Sequence, residues 1–512
     1  MSTLTSSPLP PATKHALKVG FIPSSRGFFS KELAAKMRAE TIDAMLARGL
    51  QVVVPDTNQT QVGCVETREE AELAARMFRQ EDVRAIVIGA VNFGEEQGAA
   101  WCVRKAALDV PVLIFGCQEE ERLTMSTKRR DAFCGLLSIG ESLRQVGVRY
   151  SVGRRPICFP REAAFHADLD WFVRVCNVVH GVRNARYGQI GARPDAFWTC
   201  RFSEKQLQLL GPTTVTLDLS EAFAGANRIA ENDPDLSRVI ESIQGYADTS
   251  KIRQTNVVRS AKLELFLRRW GRANAIDAFA IQCWTSIQAN YGVCSCTTMS
   301  RFGDEGMPAA CEADIMGTLS MHASMLASDS PAGLADWNNL HNDDDELANI
   351  WHCGVFPAAF AKGKPRLGVQ EIIASSGAAT YENSEGTIEF VSKEGPITLC
   401  RVTQDPRGEL KALVAQGDFE TNPAVTFGSY GWCRIKHLQR LYRDVLLRHF
   451  PHHVAITQGS VGDVLWEALG NYLGMGMYHA TQETPGLYTP SLPFGGIVQS
   501  TATIRDSLAI QA

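Results

Sequence analysis

No long run of like charge, no CxxC motif, no internal repeat and no membrane-length apolar segment occurs in this sequence. Basic and acidic residues number 51 and 56, a net charge of −5, so nucleic acid and anionic membranes are excluded as main partners. No stretch approaches the roughly eighteen apolar residues of a spanning helix. The fourteen cysteines stand singly, apart from Cys294-Ser-Cys296. Free, mostly buried thiols in a reducing compartment are expected. Residues 1–16 hold Ser, Thr and Pro in place of an apolar leader and read as a disordered lead-in. The expected location is the cytoplasm.

What the chain has is length and an ordinary globular composition. At 512 residues, 45% hydrophobic and 21% charged, it exceeds a single core and divides into two or three domains. Apolar strands at Val19–Ile22, Val52–Val54, Ala85–Ile88 and Val112–Phe115 alternate with helices at Lys31–Arg48, Glu66–Arg79 and Trp101–Leu108. That alternation predicts a parallel sheet with helices on both faces. A second such unit is expected from the helix Phe165–Asn184, the strand Thr214–Asp218 and the helices Asp233–Ala247 and Ser260–Asn274. Past residue 383 the segments Thr387–Val391, Ile397–Val402 and Leu410–Ala415 carry the pattern of antiparallel strands. The expected architecture is α/β: two doubly wound parallel-sheet domains (1–160 and 161–330), then a C-terminal domain (331–512) with an antiparallel β-barrel.

Ionisable residues among apolar neighbours concentrate between 311 and 357. The chain reads Cys311-Glu-Ala-Asp314 before an apolar helix, Leu334-Ala-Asp-Trp-Asn-Asn339, and Trp351-His-Cys353. A carboxylate flanked by Cys, Ala and Met is costly to bury unless a cation or donor compensates. Taken singly, Glu312 also fits a first-turn residue favoured by the helix dipole. Asp336 fits a turn-forming residue, and His352 a satisfied core histidine. Asp343-Asp-Asp345-Glu346 reads as a solvated acidic loop. Downstream, Pro451-His-His453 precedes the apolar strand Val454–Thr457, which places one imidazole on each face. One imidazole with two carboxylates suits Mn²⁺, Mg²⁺, Co²⁺ or Fe²⁺ and leaves positions for substrate oxygens.

Taken together these segments resemble the L-fucose isomerase family, on its divergent fucose-isomerase-like branch, and more distantly L-arabinose isomerase. Cys311-Glu-Ala-Asp314 resembles the family's first metal-carboxylate motif, and Ala335-Asp336, 24 residues after Glu312, its second. His453 in His-Val-Ala-Ile-Thr-Gln-Gly459 resembles its histidine ligand, and Leu465–Leu473 with Met477-Tyr-His479 its closing segment. The Val19–Phe29 opening and the Asn92-Phe-Gly-Glu95 turn also fit. The resemblance implies an aldose–ketose isomerase working through a cis-enediolate, with Glu312, Asp336 and His453 as metal ligands and Glu312 and Asp336 as acid/base groups. It implies Mn²⁺, with Co²⁺ or Mg²⁺ as substitutes, and a homohexamer whose sites borrow residues from a neighbouring copy.

His352 falls where the arabinose isomerases carry an additional histidine, as a fourth ligand or a substrate contact. Arg26, Trp101, Arg193 and Trp337 are candidate substrate contacts, with surface ion pairing or core packing as the ordinary alternative for each. The implied substrate resembles L-fucose, D-arabinose or a 6-modified hexose. Alternatives are a 6-sulfonated hexose (sulfoquinovose to sulfofructose), an aldolase or epimerase using the same enediolate chemistry, and a non-catalytic sugar-binding protein on the same scaffold.

Overall fold

The structure, a computed structural model, describes residues 17–120 and 122–478. The lead-in 1–16 and His479 lie outside the described residues. The chain forms two compact units: one contains Gly181–Leu465, and the other runs up to His180 and includes Trp466–Gly474.

In the N-terminal unit, β1 (Lys18–Ser24), β2 (Gln51–Val53), β3 (Ala85–Ala90), β4 (Val112–Cys117) and β5 (Ser151–Cys158) form one sheet in the order β2-β1-β3-β4-β5. Every pairing is parallel. β3 and β4 are buried along their whole length, which is why they read as continuous apolar runs. The helix Arg68–Gln80 starts at a capping box in which Thr67 and Glu70 bond each other's backbone amides, and its alanines and Phe78 turn inward.

The larger unit opens with β6 (Arg186–Ile190), β7 (Thr213–Leu217), β8 (Ala278–Ile281) and β9 (Ala309–Ala310), again parallel, in the order β7-β6-β8-β9. The helix expected from Ser260 begins six residues earlier, at Gln254. Asn256 makes this possible, because its amide donates to Glu385 Oε2 and to the Glu382 carbonyl, both at 2.7 Å.

Nine strands follow in a mixed sheet: β10 (Ala332–Leu340), β11 (Leu347–His352), β12 (Arg366–Val369), β13 (Glu385–Val391), β14 (Gly395–Gln404), β15 (Leu410–Glu420), β16 (Ser429–Arg434), β17 (His453–Gln458) and β18 (Gly476–Tyr478). Their order is β12-β13-β16-β11-β10-β17-β14-β15-β18, with β16 also pairing β15. Most pairs are antiparallel, while β13–β16 and β15–β18 are parallel. The parallel and mixed sheets of this unit share one core.

The helix Ile315–Ser328 runs beside that core and is buried over nearly its full length. Its hydroxyls are satisfied locally, Ser320 donating to the Met316 carbonyl and Ser324 to that of Ser320. Ser320 Oγ in turn accepts the amide of Val402 on β14, which docks the helix to the mixed sheet. All fourteen cysteines are free thiols, and only Cys134 is exposed. Among the described residues no helix is long and apolar enough to cross a membrane.

Candidate active site

β9 delivers the first carboxylate. After Ala310 the chain turns through two consecutive left-handed residues, Glu312 (φ 63°) and Ala313 (φ 54°). Such backbone is uncommon outside glycine and persists only where the surroundings over-determine it. Here the Ala313 amide donates to the Ile281 carbonyl at the end of β8, and the Asp314 amide to that of Cys311, both at 3.1 Å. Asp314 then caps the following helix, its Oδ1 accepting the Gly317 amide at 2.8 Å. Glu312 therefore precedes the helix, in a tight turn at the carboxyl end of a parallel strand, where open α/β sheets bind ligands. The expectation that it opens the helix is corrected: the cap occupies that position.

The other groups come from the mixed sheet. Asp336 lies within β10 and not at the end of a turn, directly opposite His453 of β17 on one side and Trp351 of β11 on the other. His352 ends β11 and His453 begins β17. The two adjacent histidines do not divide between opposite faces as expected: His453 is sealed from solvent, while His452, which precedes β17 and keeps 43% of its side chain exposed, still brings Nε2 within 3.8 Å of Asp336 Oδ1.

Four buried residues thus converge, with the partly exposed His452 beside them. His453 Nε2 lies 3.3 Å from Glu312 Oε2 and 3.7 Å from Asp336 Oδ1. Asp336, His352 and His453 each offer a ligand atom within 4.8 Å of the other two, as do Glu312, His452 and His453. Glu312 Oε2, Asp336 Oδ1, His352 Nε2 and His453 Nε2 are all buried without a hydrogen-bond partner. Buried polar atoms are ordinarily paired, so four orphans gathered around His453 form a donor set that could hold a cation. Metal–ligand bonds of about 2.1 Å put neighbouring ligand atoms about 3 Å apart, close to the separations seen.

Behind the cluster, His453 Nδ1 donates to Asp314 Oδ2 at 2.8 Å. The same carboxylate receives Arg401 of β14 through Nη1 at 2.5 Å and Nη2 at 3.2 Å. Burial works against the Asp314 anion, but Arg401 and then His453 overcome it and hold its carboxyl well below the usual range. Burial likewise opposes charge on His453, yet its contacts with Asp314, Cys200 and Glu312 raise it well above the ordinary histidine value. Asp336 is shifted up by burial. His352 is pushed up to about 9, burial being outweighed by Cys353 and Asp336.

The remaining candidates stand elsewhere. Trp337 follows Asp336 on β10, its ring edge-on to Tyr442 at 5.8 Å and its buried Nε1 without a partner. Arg193 folds onto its own loop, Nη1 donating to the carbonyls of Pro194 and Asp195. Arg26 and Trp101 belong to the N-terminal unit. Arg26 is paired with Glu95 and Glu96, and the Trp101 indole donates to Glu72 with Arg68 and Lys105 over its ring. His452 was read only as the neighbour of His453 on the opposite face, and Asp314 and Arg401 were not singled out from the sequence. Their signals were present: an aspartate two residues past Glu312 at an apolar helix start, and an arginine inside the apolar run Ile397–Val402.

Residues 20–183 match the fucose/sulfoquinovose isomerase N-terminal domain family, and residues 350–479 the L-fucose isomerase C-terminal domain family. Glu312 and Asp336 lie between the two matched segments. A sulfoquinovose isomerase from Alkalicoccus urumqiensis is 27% identical over 370 residues, covering 70% of this chain and 78% of that one. Another from Priestia aryabhattai is 23% identical over 465 residues, covering 89% and 97%. One from Clostridium sp. (strain MSTE9) is 23% identical and covers 66% and 74%. With parallel sheets ahead of a mixed one and isomerase domains matched at both ends, the chain is an aldose–ketose isomerase. It belongs to the fucose isomerase-like family.

Proposed function

We propose that Glu312, Asp336 and His453, with His352 beside them, form the centre at which this isomerase moves a carbonyl between C1 and C2 of an open-chain sugar. The four convergent, partnerless ligand atoms carry this reading. Glu312, Asp336 and His453 would hold a divalent cation, Mn²⁺ in preference to Co²⁺ or Mg²⁺, as suits a set of carboxylates and imidazole. When bound, such an ion polarises the substrate carbonyl and stabilises the negative charge developing on the adjacent oxygens. The proton step belongs to the carboxylates: one takes the proton from C2 and returns it at C1, or the reverse. Asp336, which burial makes more basic than a free carboxylate, is suited to accept it.

The mixed sheet supports a barrel reading, since the pairings run β16–β11–β10–β17–β14–β15 and return to β16. In that reading Asp336 and His453 occupy neighbouring strand positions at one end of the barrel. Arg193, Trp337 and His352 are proposed to contact the sugar. We propose a cytoplasmic homohexamer in which Arg26 or Trp101 serves the site of another copy.

The proposed substrate is a hexose modified at C6, with sulfoquinovose first, because the relatives described above carry that name. A neutral sugar such as L-fucose or D-arabinose is the second reading, favoured by the C-terminal domain match. The test is metal-stripped protein refilled with Mn²⁺, Co²⁺ or Mg²⁺ and incubated with these sugars in D₂O. Ketose carrying one deuterium is expected. No product from any sugar, or turnover indifferent to chelation, would overturn the assignment.

A further inference from the structure

We propose that Asp314, backed by Arg401, is a positioning residue that fixes the orientation and tautomer of His453 for metal binding. The inference rests on the metal-site reading above. Asp314 is wholly buried, and both its oxygens are committed. Oδ1 accepts the Gly317 amide and Arg401 Nη2, and Oδ2 accepts Arg401 Nη1 and His453 Nδ1. A carboxylate so filled has no lone pair to turn towards the cluster, so Asp314 is not itself a ligand.

What it does is bind the far side of the imidazole. A carboxylate that accepts from Nδ1 keeps a proton on that nitrogen and turns Nε2 towards Glu312 and Asp336, so that Nε2 is the nitrogen a cation would take. Arg401, buried on β14, anchors Asp314 from the opposite side through two contacts. One aspartate thereby serves three elements: it caps the helix Ile315–Ser328, ends the left-handed turn that presents Glu312, and holds the ring at the start of β17. Two proposed ligands that are 141 positions apart in sequence share this support.

Asp314→Asn separates positioning from packing, because the amide keeps the size and can still cap Gly317. Outer partners of this kind typically change metal affinity by about 10–100-fold. Mn²⁺ binding followed by electron paramagnetic resonance of the free ion should show a loss of that order, with kcat largely restored at saturating Mn²⁺. The decisive readout is a double-mutant cycle. In a His453→Gln background, Asp314→Asn should cost no further Mn²⁺ affinity, since the ring it orients is gone.

Equal losses in both backgrounds, or Mn²⁺ bound as tightly by Asp314→Asn as by the parent, would overturn the positioning role. Should Asp314→Asn not fold, Arg401→Lys carries the same cycle, because it keeps a cation but loses the two-pronged hold on Asp314. Failure of the parent itself to bind Mn²⁺ is a distinct result, which overturns the underlying metal site.

Discussion

Asp336→Asn tests a strained charge and a metal ligand in one variant. Asp336 Oδ1 is buried without a hydrogen-bond partner, and burial lifts its carboxyl above the ordinary range despite His352 and His453 nearby. Burial therefore disfavours the charged form of Asp336 in the metal-free protein. The amide removes that charge at constant size and relieves roughly 1–3 kcal/mol, the usual scale for a buried polar group left unpaired. The metal-free variant should melt a few degrees above the parent.

Mn²⁺ acts in the opposite sense. At a hundred times its dissociation constant, a ligand stabilises the folded parent by about 2.7 kcal/mol. Most of that increment should vanish in the variant at the same Mn²⁺ concentration. Turnover at saturating Mn²⁺ should fall about 10²–10⁴-fold, or roughly 3–5 kcal/mol of barrier. Scanning calorimetry of stripped protein with and without Mn²⁺, alongside initial rates, measures all three quantities. A variant that melts below the parent without metal, yet gains the full Mn²⁺ increment, would refute the reasoning. The pocket charge would then be neither strained nor a ligand.

Glu312→Gln should lose a comparable 10²–10⁴-fold in turnover, and full activity at saturating Mn²⁺ would remove Glu312 from the mechanism. His453→Ala should act through affinity, so its rate recovers in part as Mn²⁺ is raised; a loss unmoved by metal would contradict a ligand role. His322 predicts a pH effect on stability. Burial lowers it from 6.5 to about 4, and its Nδ1 meets the Tyr187 hydroxyl at 3.3 Å. Because its folded value is depressed, the unfolded chain binds the extra proton first, and about 3 kcal/mol present above pH 6.5 is lost as pH falls towards 4. His322→Gln should flatten that part of the denaturation profile, and an unchanged slope would exclude His322 as its source. For assembly, light scattering should give a multiple of the 56.1 kDa chain mass, and a fully active single-chain species would exclude the oligomer.

The sequence exposed most of the scaffold because its signals are local. Strand–helix alternation before residue 120 needs no distant information, and the parallel sheet follows from it. The helix Gln254–Ala273 was placed short because its first turn, Gln254-Thr-Asn256, looks solvated until Glu382 and Glu385 arrive from another segment. The same limit governs the site. Glu312, Asp336 and His453 stand out singly as ionisable residues amid apolar ones, yet nothing local joins them. Pairing of β10 with β17 brings Asp336 opposite His453, and a turn at the end of β9 brings Glu312 to both.

That turn explains why Asp314 and Arg401 escaped notice while Glu312 did not. Left-handed backbone at Glu312 and Ala313 has no composition cue, since glycine, which would have announced it, is absent from both positions. A strained conformation held without glycine costs on the order of 1–2 kcal/mol per residue, so neighbours must hold it. Here the neighbours are a helix cap and a buried arginine from a strand some ninety positions away in sequence. The turn delivers the carboxylate to the pocket and its last residue to the back of the histidine. Relaxing it by Ala313→Gly should therefore raise the stability of the metal-free protein while loosening Mn²⁺ binding. Tighter Mn²⁺ binding in that variant would show that the strained turn opposes the site it presents.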